Sequence, residues 1–338
     1  KINTKAVPAL TLTCAVGQAA ASGFGLNSQS ATGIGRAFSG DAAIGDNASI
    51  LARNPAGMAL FDQRALSLGL TYADIDIEIK DPSVDPGNVQ LNGIDDAGSG
   101  KLIPNVFYIQ PLGDQWAFGV GAFSNFGTGS DTFSLEGAPD ILIGKTEITT
   151  INLNASVSYR INDQFSLGAG IDVIYGSGEL LRESNSAGVE SLLNVEADGW
   201  AVGGIIGALY EINADNRLGI SYRFSPKVAV SGDVDLLTPV GGMPAFSYDQ
   251  LEVPLPDIFQ LAGFHQVTER WAFHYTAQWT GWSAFDGITG IDGETAGGVP
   301  VGDRELKEYG WKDSWLFSIG GTYTINDTWT ARAGYMRD

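Results

Sequence analysis

The chain has 338 residues, of which 45 are glycine and 44% hydrophobic, and a formal net charge of −20. That charge excludes nucleic acid as a partner, because phosphates demand Lys and Arg. A helical membrane protein is excluded too: spans need about 20 apolar residues, and the longest run, Trp200 to Ile212, is shorter and reads as a strand.

Lys1 and Lys5 precede an apolar stretch, Ala6 to Val16, which is followed by Ala19-Ala20-Ala21. This pattern predicts a secretory signal over residues 1–21, cut after Ala21. Cys14, the one cysteine, falls inside it, so the mature chain carries no thiol and no disulfide. Residues 22–63 are rich in Gly, Ala and Ser and show no sustained period of two. Ala37 to Ala52 is expected to form short helices capped by Asp46 or Asn47, and Asn54-Pro55-Ala56 supplies a fixed turn. Small uncharged side chains suit a plug packed within a narrow barrel better than a free tail.

From Arg64 onward the pattern changes. Short polar turns recur at Gly113-Asp114, Asn162-Asp163, Ala214-Asp215, Thr268-Glu269 and Asn326-Asp327, separated by 49, 52, 54 and 58 residues. Between them lie runs of strict alternation, the mark of strands with two different faces. Ile151, Leu153, Ala155, Val157 and Tyr159 oppose Asn152, Asn154, Ser156, Ser158 and Arg160. Phe165, Leu167, Ala169, Ile171, Val173 and Tyr175 oppose Ser166, Gly168, Gly170 and Asp172. Trp271, Phe273, Tyr275, Ala277 and Trp279 oppose Ala272, His274, Thr276, Gln278 and Thr280.

Such runs exceed the usual globular strand of about 5–6 residues. They match the ~9–11 needed to cross a bilayer at a tilt. Tight turns alternating with longer loops complete the signature of an all-β, transmembrane antiparallel β-barrel over residues 64–338. Trp116, Phe165, Tyr210, Trp271 and Trp329, beside the short turns, fit an interfacial girdle. The acid concentrated in Asp74–Asp96 and Asp233–Glu252 reads as a solvated outer surface. About eleven strands are expected between Arg64 and Arg337. An odd count and a C-terminus inside a strand give the expectation of a chain truncated at its C-terminal end.

Gly23-Phe24-Gly25-Leu26-Asn27, Gly33-Ile34-Gly35-Arg36-Ala37-Phe38-Ser39-Gly40 and Arg53-Asn54-Pro55-Ala56 resemble the hatch of the outer-membrane long-chain fatty acid transporter family of Gram-negative bacteria. The resemblance continues through Ser124-Asn125-Phe126-Gly127, Trp271 to Tyr275 and Gly310-Trp311-Lys312-Asp313. It implies a barrel of about 14 strands, about 11 of them present here, with an N-terminal hatch inside. It implies passive uptake of hydrophobic compounds, long-chain fatty acids first and aromatic hydrocarbons such as toluene as the alternative.

In that reading Arg182 and Lys312 hold the ligand carboxylate, which an apolar pocket cannot leave unpaired. Asn125-Phe126-Gly127 form a kink at the end of the third strand that opens the wall sideways. Phe24 and Leu26, with Asn54, Pro55 and Ala56, belong to the moving hatch. The expected surroundings are outer-membrane lipid and lipopolysaccharide, with the protein a monomer and free of metal and cofactor. His265 and His274 read as lumen polar residues. An outer-membrane phospholipase or protease would need a nucleophile and base held together, for which no motif appears. An adhesive barrel would leave the hatch unexplained.

Overall fold

The computed structural model describes residues 23–338 apart from 75–77, 79–82, 85–88, 91–95, 99, 133–143, 183–192, 237–245, 286, 296–297 and 309. The expected signal segment therefore lies outside the described residues. Seventeen strand segments join in one antiparallel sheet, and they run as eleven passes.

Six passes are unbroken: β1 Ala65–Ala73, β2 Lys101–Leu112, β4 Gly144–Arg160, β5 Phe165–Arg182, β6 Leu193–Asn213 and β11 Thr330–Arg337. The others are interrupted. β3 runs Trp116–Phe123 and resumes as Gly127–Asp131. β7 comprises Asn216–Phe224 and Lys227–Leu236; β8 comprises Phe246–Ser247, Gln250–Pro254 and Ile258–Gln266. β9 comprises Trp271–Thr280 and Gly287–Thr295; β10 comprises Pro300–Glu308 and Ser314–Thr324. Each pass pairs with its neighbour in sequence, from Ala65↔Ile109 through to Thr324↔Thr330. Among the described residues β1 and β11 are each paired on one side only.

Burial along the strands is inverted relative to a soluble protein. Ile171 is 61% exposed, and Asp172 beside it is fully buried. Leu66, Leu68, Leu70, Val202 and Phe317 are likewise exposed, whereas Asn152, Asn154, Ser156, Ser158 and His274 are buried. An apolar outside around a polar inside is stable only where the solvent is lipid. Aromatic pairs mark both limits of the band. Near the short turns Trp116 meets Tyr159 at 4.6 Å, Phe165 meets Tyr210 at 4.5 Å and Trp271 meets Tyr323 at 4.5 Å. Farther up β5, Tyr175 meets Trp200 at 5.0 Å. From Phe165 to Tyr175 the strand rises roughly 33 Å, close to the ~25 Å apolar band once tilted.

Residues 23–63 pack against the inward faces of the strands. They contain α1 (Ala31–Gly35), α2 (Ile50–Arg53) and a 3₁₀ turn at Pro55–Leu60. Helix forms over less of Ala37–Ala52 than the sequence suggests, and Asp46 and Asn47 cap neither helix. Ala37 and Phe38 take positive φ of 52° and 64°, because Arg36 folds the chain back by pairing with Asp41 at 3.0 Å and Asp46 at 2.7 Å. Ala48, Ile50, Leu51 and Met58 make one apolar core with Phe107, Ile109, Ala117 and Phe123 of the wall.

Close approach explains part of the glycine content. A Cβ on Gly168 would lie 2.2 Å from Ala56 N, and one on Gly219 would lie 1.9 Å from Ala42 O. His274 reaches the hatch through Ser39 Oγ, 2.7 Å from its Nδ1. His265 differs from expectation: it alternates with the inward Ala262 and sits on the outer face, stacked on Tyr275 at 5.7 Å.

Candidate functional site

The site begins with a break in the wall. β2 and β3 are paired from Leu112↔Trp116 up to Val106↔Ala122, and pairing returns only at the isolated bridge Gly98↔Ser130. Between those points no β2–β3 ladder is present among the described residues, and a cleft of ≈ 370 Å³ occupies the gap. Its walls include Lys101 to Val106 on one side and Ser124, Phe126, Gly127 and Thr128 on the other.

The cause is a bulge. Phe123 opposes Asn152 and Gly127 opposes Thr149, so four steps along β3 face three along β4. One extra residue bends the bulged strand away from its neighbour. Thr150 stitches the bend: it accepts from Phe126 N at 3.2 Å and donates to Phe126 O at 2.8 Å. The third strand thus bends at Asn125-Phe126-Gly127 and continues, where the sequence reading ended it.

The residues of β3 that lose β2 gain the hatch. Leu26 N donates to Asn125 O at 2.7 Å, and Gly127 N donates to Phe24 O at 2.8 Å. Gly25 and Phe126 form an antiparallel bridge. Leu26 lines the cleft from inside, and a Cβ on Gly127 would meet its Cδ1 at 3.1 Å. A relay extends this contact inward. Arg53 Nη2 donates to Gln29 Oε1 at 2.6 Å, and Gln29 Nε2 donates to Asn125 Oδ1 at 3.0 Å. Asn54 anchors the other side, donating to Ala42 O at 2.8 Å and Ala208 O at 3.0 Å. Its Oδ1 accepts from Ala56 N at 3.1 Å, which sets the Pro55 turn.

Above the hatch the interrupted strands converge. Trp282 and Phe285 lie in the break of β9, Trp311 in the break of β10, Leu255 in a break of β8 and Phe126 in that of β3. All belong with Phe24 to one apolar cluster. Phe24 sits at its centre, 4.9 Å from Trp282, 5.0 Å from Phe285, 5.7 Å from Trp311 and 5.8 Å from Phe126. Trp282 Nε1 and the Tyr248 hydroxyl are buried without a hydrogen-bond partner among the described residues. The breaks are themselves pinned: Ser225 N donates to Asp257 Oδ1 at 2.7 Å and Ser283 N to Asp313 Oδ1 at 2.9 Å.

Residues 12–338 match the model of the outer membrane protein transport protein family (OMPP1/FadL/TodX). The chain belongs to this family. It is 31% identical to a long-chain fatty acid transport protein of Escherichia coli O6:H1, across 99% of this chain and 81% of that one. It is 29% identical to outer membrane protein P1 of Haemophilus influenzae, across 98% and 80%. Among solved structures, a Pseudomonas aeruginosa FadL homologue superposes with a TM-score of 0.76 at 26% identity, covering 93% of this chain and 81% of that one. The Pseudomonas putida toluene transporter TodX shares the fold, with a TM-score of 0.65 at 20% identity, covering 93% and 84%. The protein is an outer-membrane barrel of this transport family.

Within the family frame, Phe24, Leu26, Asn125, Phe126 and Gly127 meet at one place. Asn54, Pro55 and Ala56 lie deeper, linked to it through Arg53 and Gln29. Lys312 is exposed; it follows Trp311 without joining the apolar cluster. The backbone of Arg182 ends β5, and its side chain lies outside the described residues. Sequence reasoning did not single out Gln29, Trp282 or Phe285, and named Trp311 only within the Gly310-Trp311-Lys312-Asp313 run. The Trp282-Ser283-Ala284-Phe285 run, which breaks the alternation after Thr280, was the available signal.

Proposed function

We propose that this protein is a passive outer-membrane channel for hydrophobic compounds, with long-chain fatty acids as its substrate class. The observation that carries the reading is the coincidence of two contacts in one hatch segment. Phe24 fills the aromatic cluster with its ring while its carbonyl oxygen accepts from Gly127 at the wall opening. A ligand tail that competes for the cluster displaces the ring, and the displacement pulls Gly25 and Leu26 from β3. An apolar path then leads sideways through the cleft into lipid, so the ligand does not cross a water-filled lumen. Deformation of so short a contact needs no energy source beyond binding.

In this reading Lys312, at the cluster's rim, meets the head group after the tail has entered, and Arg182 assists from the end of β5. A second reading, uptake of aromatic hydrocarbons, is favoured by the aromatic lining itself. Labelled oleate and labelled toluene uptake, in a host lacking its own fatty acid channel, separates the two. Oleate uptake that falls in Lys312→Glu supports the acid. Toluene uptake without oleate moves the protein to the hydrocarbon branch. Gly127→Val places a branched side chain against Leu26 and is expected to cut uptake with the barrel intact; undiminished uptake removes the lateral route.

A further inference from the structure

The cleft is crossed by charge. Lys101 Nζ, from the β2 side of the opening, contacts Glu147 Oε1 on β4. These strands are not neighbours: β3 lies between them, and the β3 residue paired with Glu147 is Gly129, which has no side chain to intervene. The network continues outward. Lys145 Nζ is 3.3 Å from Glu147 Oε2 and 2.7 Å from Glu179 Oε2 on β5. Lys101 lines the cleft directly. It lies just below the upper limit of the opening at Gly98↔Ser130.

We infer that Lys101 is a carboxylate-exchange site, at which the head group of an amphiphilic acid replaces Glu147 and unties β2 from β4. The inference rests on the lateral route proposed above. Three features make exchange feasible. The pair is partly exposed, with 23% and 37% of the two side chains accessible, and ion pairs of that kind are weak enough to swap partners. Glu147 keeps Lys145 when Lys101 leaves, so no carboxylate is stranded. One anion substitutes for another at Lys101, so the net charge around its ammonium is conserved. A neutral ligand brings no competing anion and leaves the tie in place. Lys101 therefore discriminates acids from hydrocarbons at the exit, whereas the roles proposed for Arg182 and Lys312 are at the binding site.

The test compares uptake of labelled oleate with that of its neutral methyl ester, using Lys101→Met, Glu147→Gln and Gly127→Val. Folded protein in the outer membrane is quantified for each by heat-modifiable gel mobility. Lys101→Met is expected to lose oleate uptake severalfold relative to the ester. Glu147→Gln, which frees the ammonium and loosens the tie, is expected to keep oleate uptake at or above the parental level. Equal effects of Lys101→Met on both ligands, or loss of oleate uptake in Glu147→Gln, overturn the exchange site. Failure of the underlying route is read separately: it appears as undiminished uptake of both ligands in Gly127→Val.

Discussion

Asn54 shows how much one side chain holds in this lumen. It is fully buried and donates to carbonyls on both sides, Ala42 within the hatch and Ala208 on β6. Asn54→Ala removes both hydrogen bonds, at a cost of about 1–3 kcal/mol. The expected outcome is a loosened hatch, seen as faster proteolysis of residues 23–63 in an otherwise intact barrel. Phe24 sets a different balance. Phe24→Ala opens a cavity among Trp282, Phe285 and Trp311 and, in the proposed mechanism, removes the ring with which a ligand competes. Binding of a fluorescent fatty acid is expected to tighten, and weaker binding would assign Phe24 to the ligand's own contacts.

At the scale of elements, the hatch and the wall meet backbone to backbone, and glycine permits it. Gly168→Ala drives a methyl group to 2.2 Å from Ala56 N, which no rotamer relieves. Gly178→Ala on the same strand meets only Glu147 O at 3.8 Å. The first is expected to unseat the plug and raise permeability to small hydrophilic antibiotics; the second serves as the neutral control. Equal permeability in the two variants would show that the hatch adapts to the wall. The interruptions of β3, β8, β9 and β10 belong to this scale also. Each releases a few residues from the ladder and turns a large apolar side chain inward, so the aromatic cluster is a product of broken strands.

For the molecule as a whole, the inverted burial fixes the solvent. Ile171 lies midway along β5 between the Phe165 and Tyr175 girdles and faces outward. Ile171→Arg is expected to destabilise the barrel in lipid vesicles by about 2–4 kcal/mol, the cost of a cation near the midplane. Denaturant titration of the reconstituted protein measures it. A soluble sheet would tolerate the same exposed cation with little change.

Period-two alternation by itself determined the barrel, its lipid face and its lumen face, because side chains on a strand must point alternately to two solvents. Turn spacing determined the order of the eleven passes; Asn54-Pro55-Ala56 marked a fixed turn by local chemistry, and its resemblance to a known family's hatch, together with Arg53, marked the segment as a hatch. Of the short helices expected within Ala37–Ala52 only α2 forms, at the C-terminal end of that range, while Arg36 pairs with carboxylates five and ten residues on and folds the preceding chain back. What only the tertiary structure decided are the long-range meetings: Gln29 with Asn125, Phe24 with Trp282 and Trp311, Lys101 with Glu147 across β3. Each depends on where a strand breaks and how far it bends. A single extra residue in β3 shifts register and direction together, and alternation read along one strand carries no record of the partner that strand has lost.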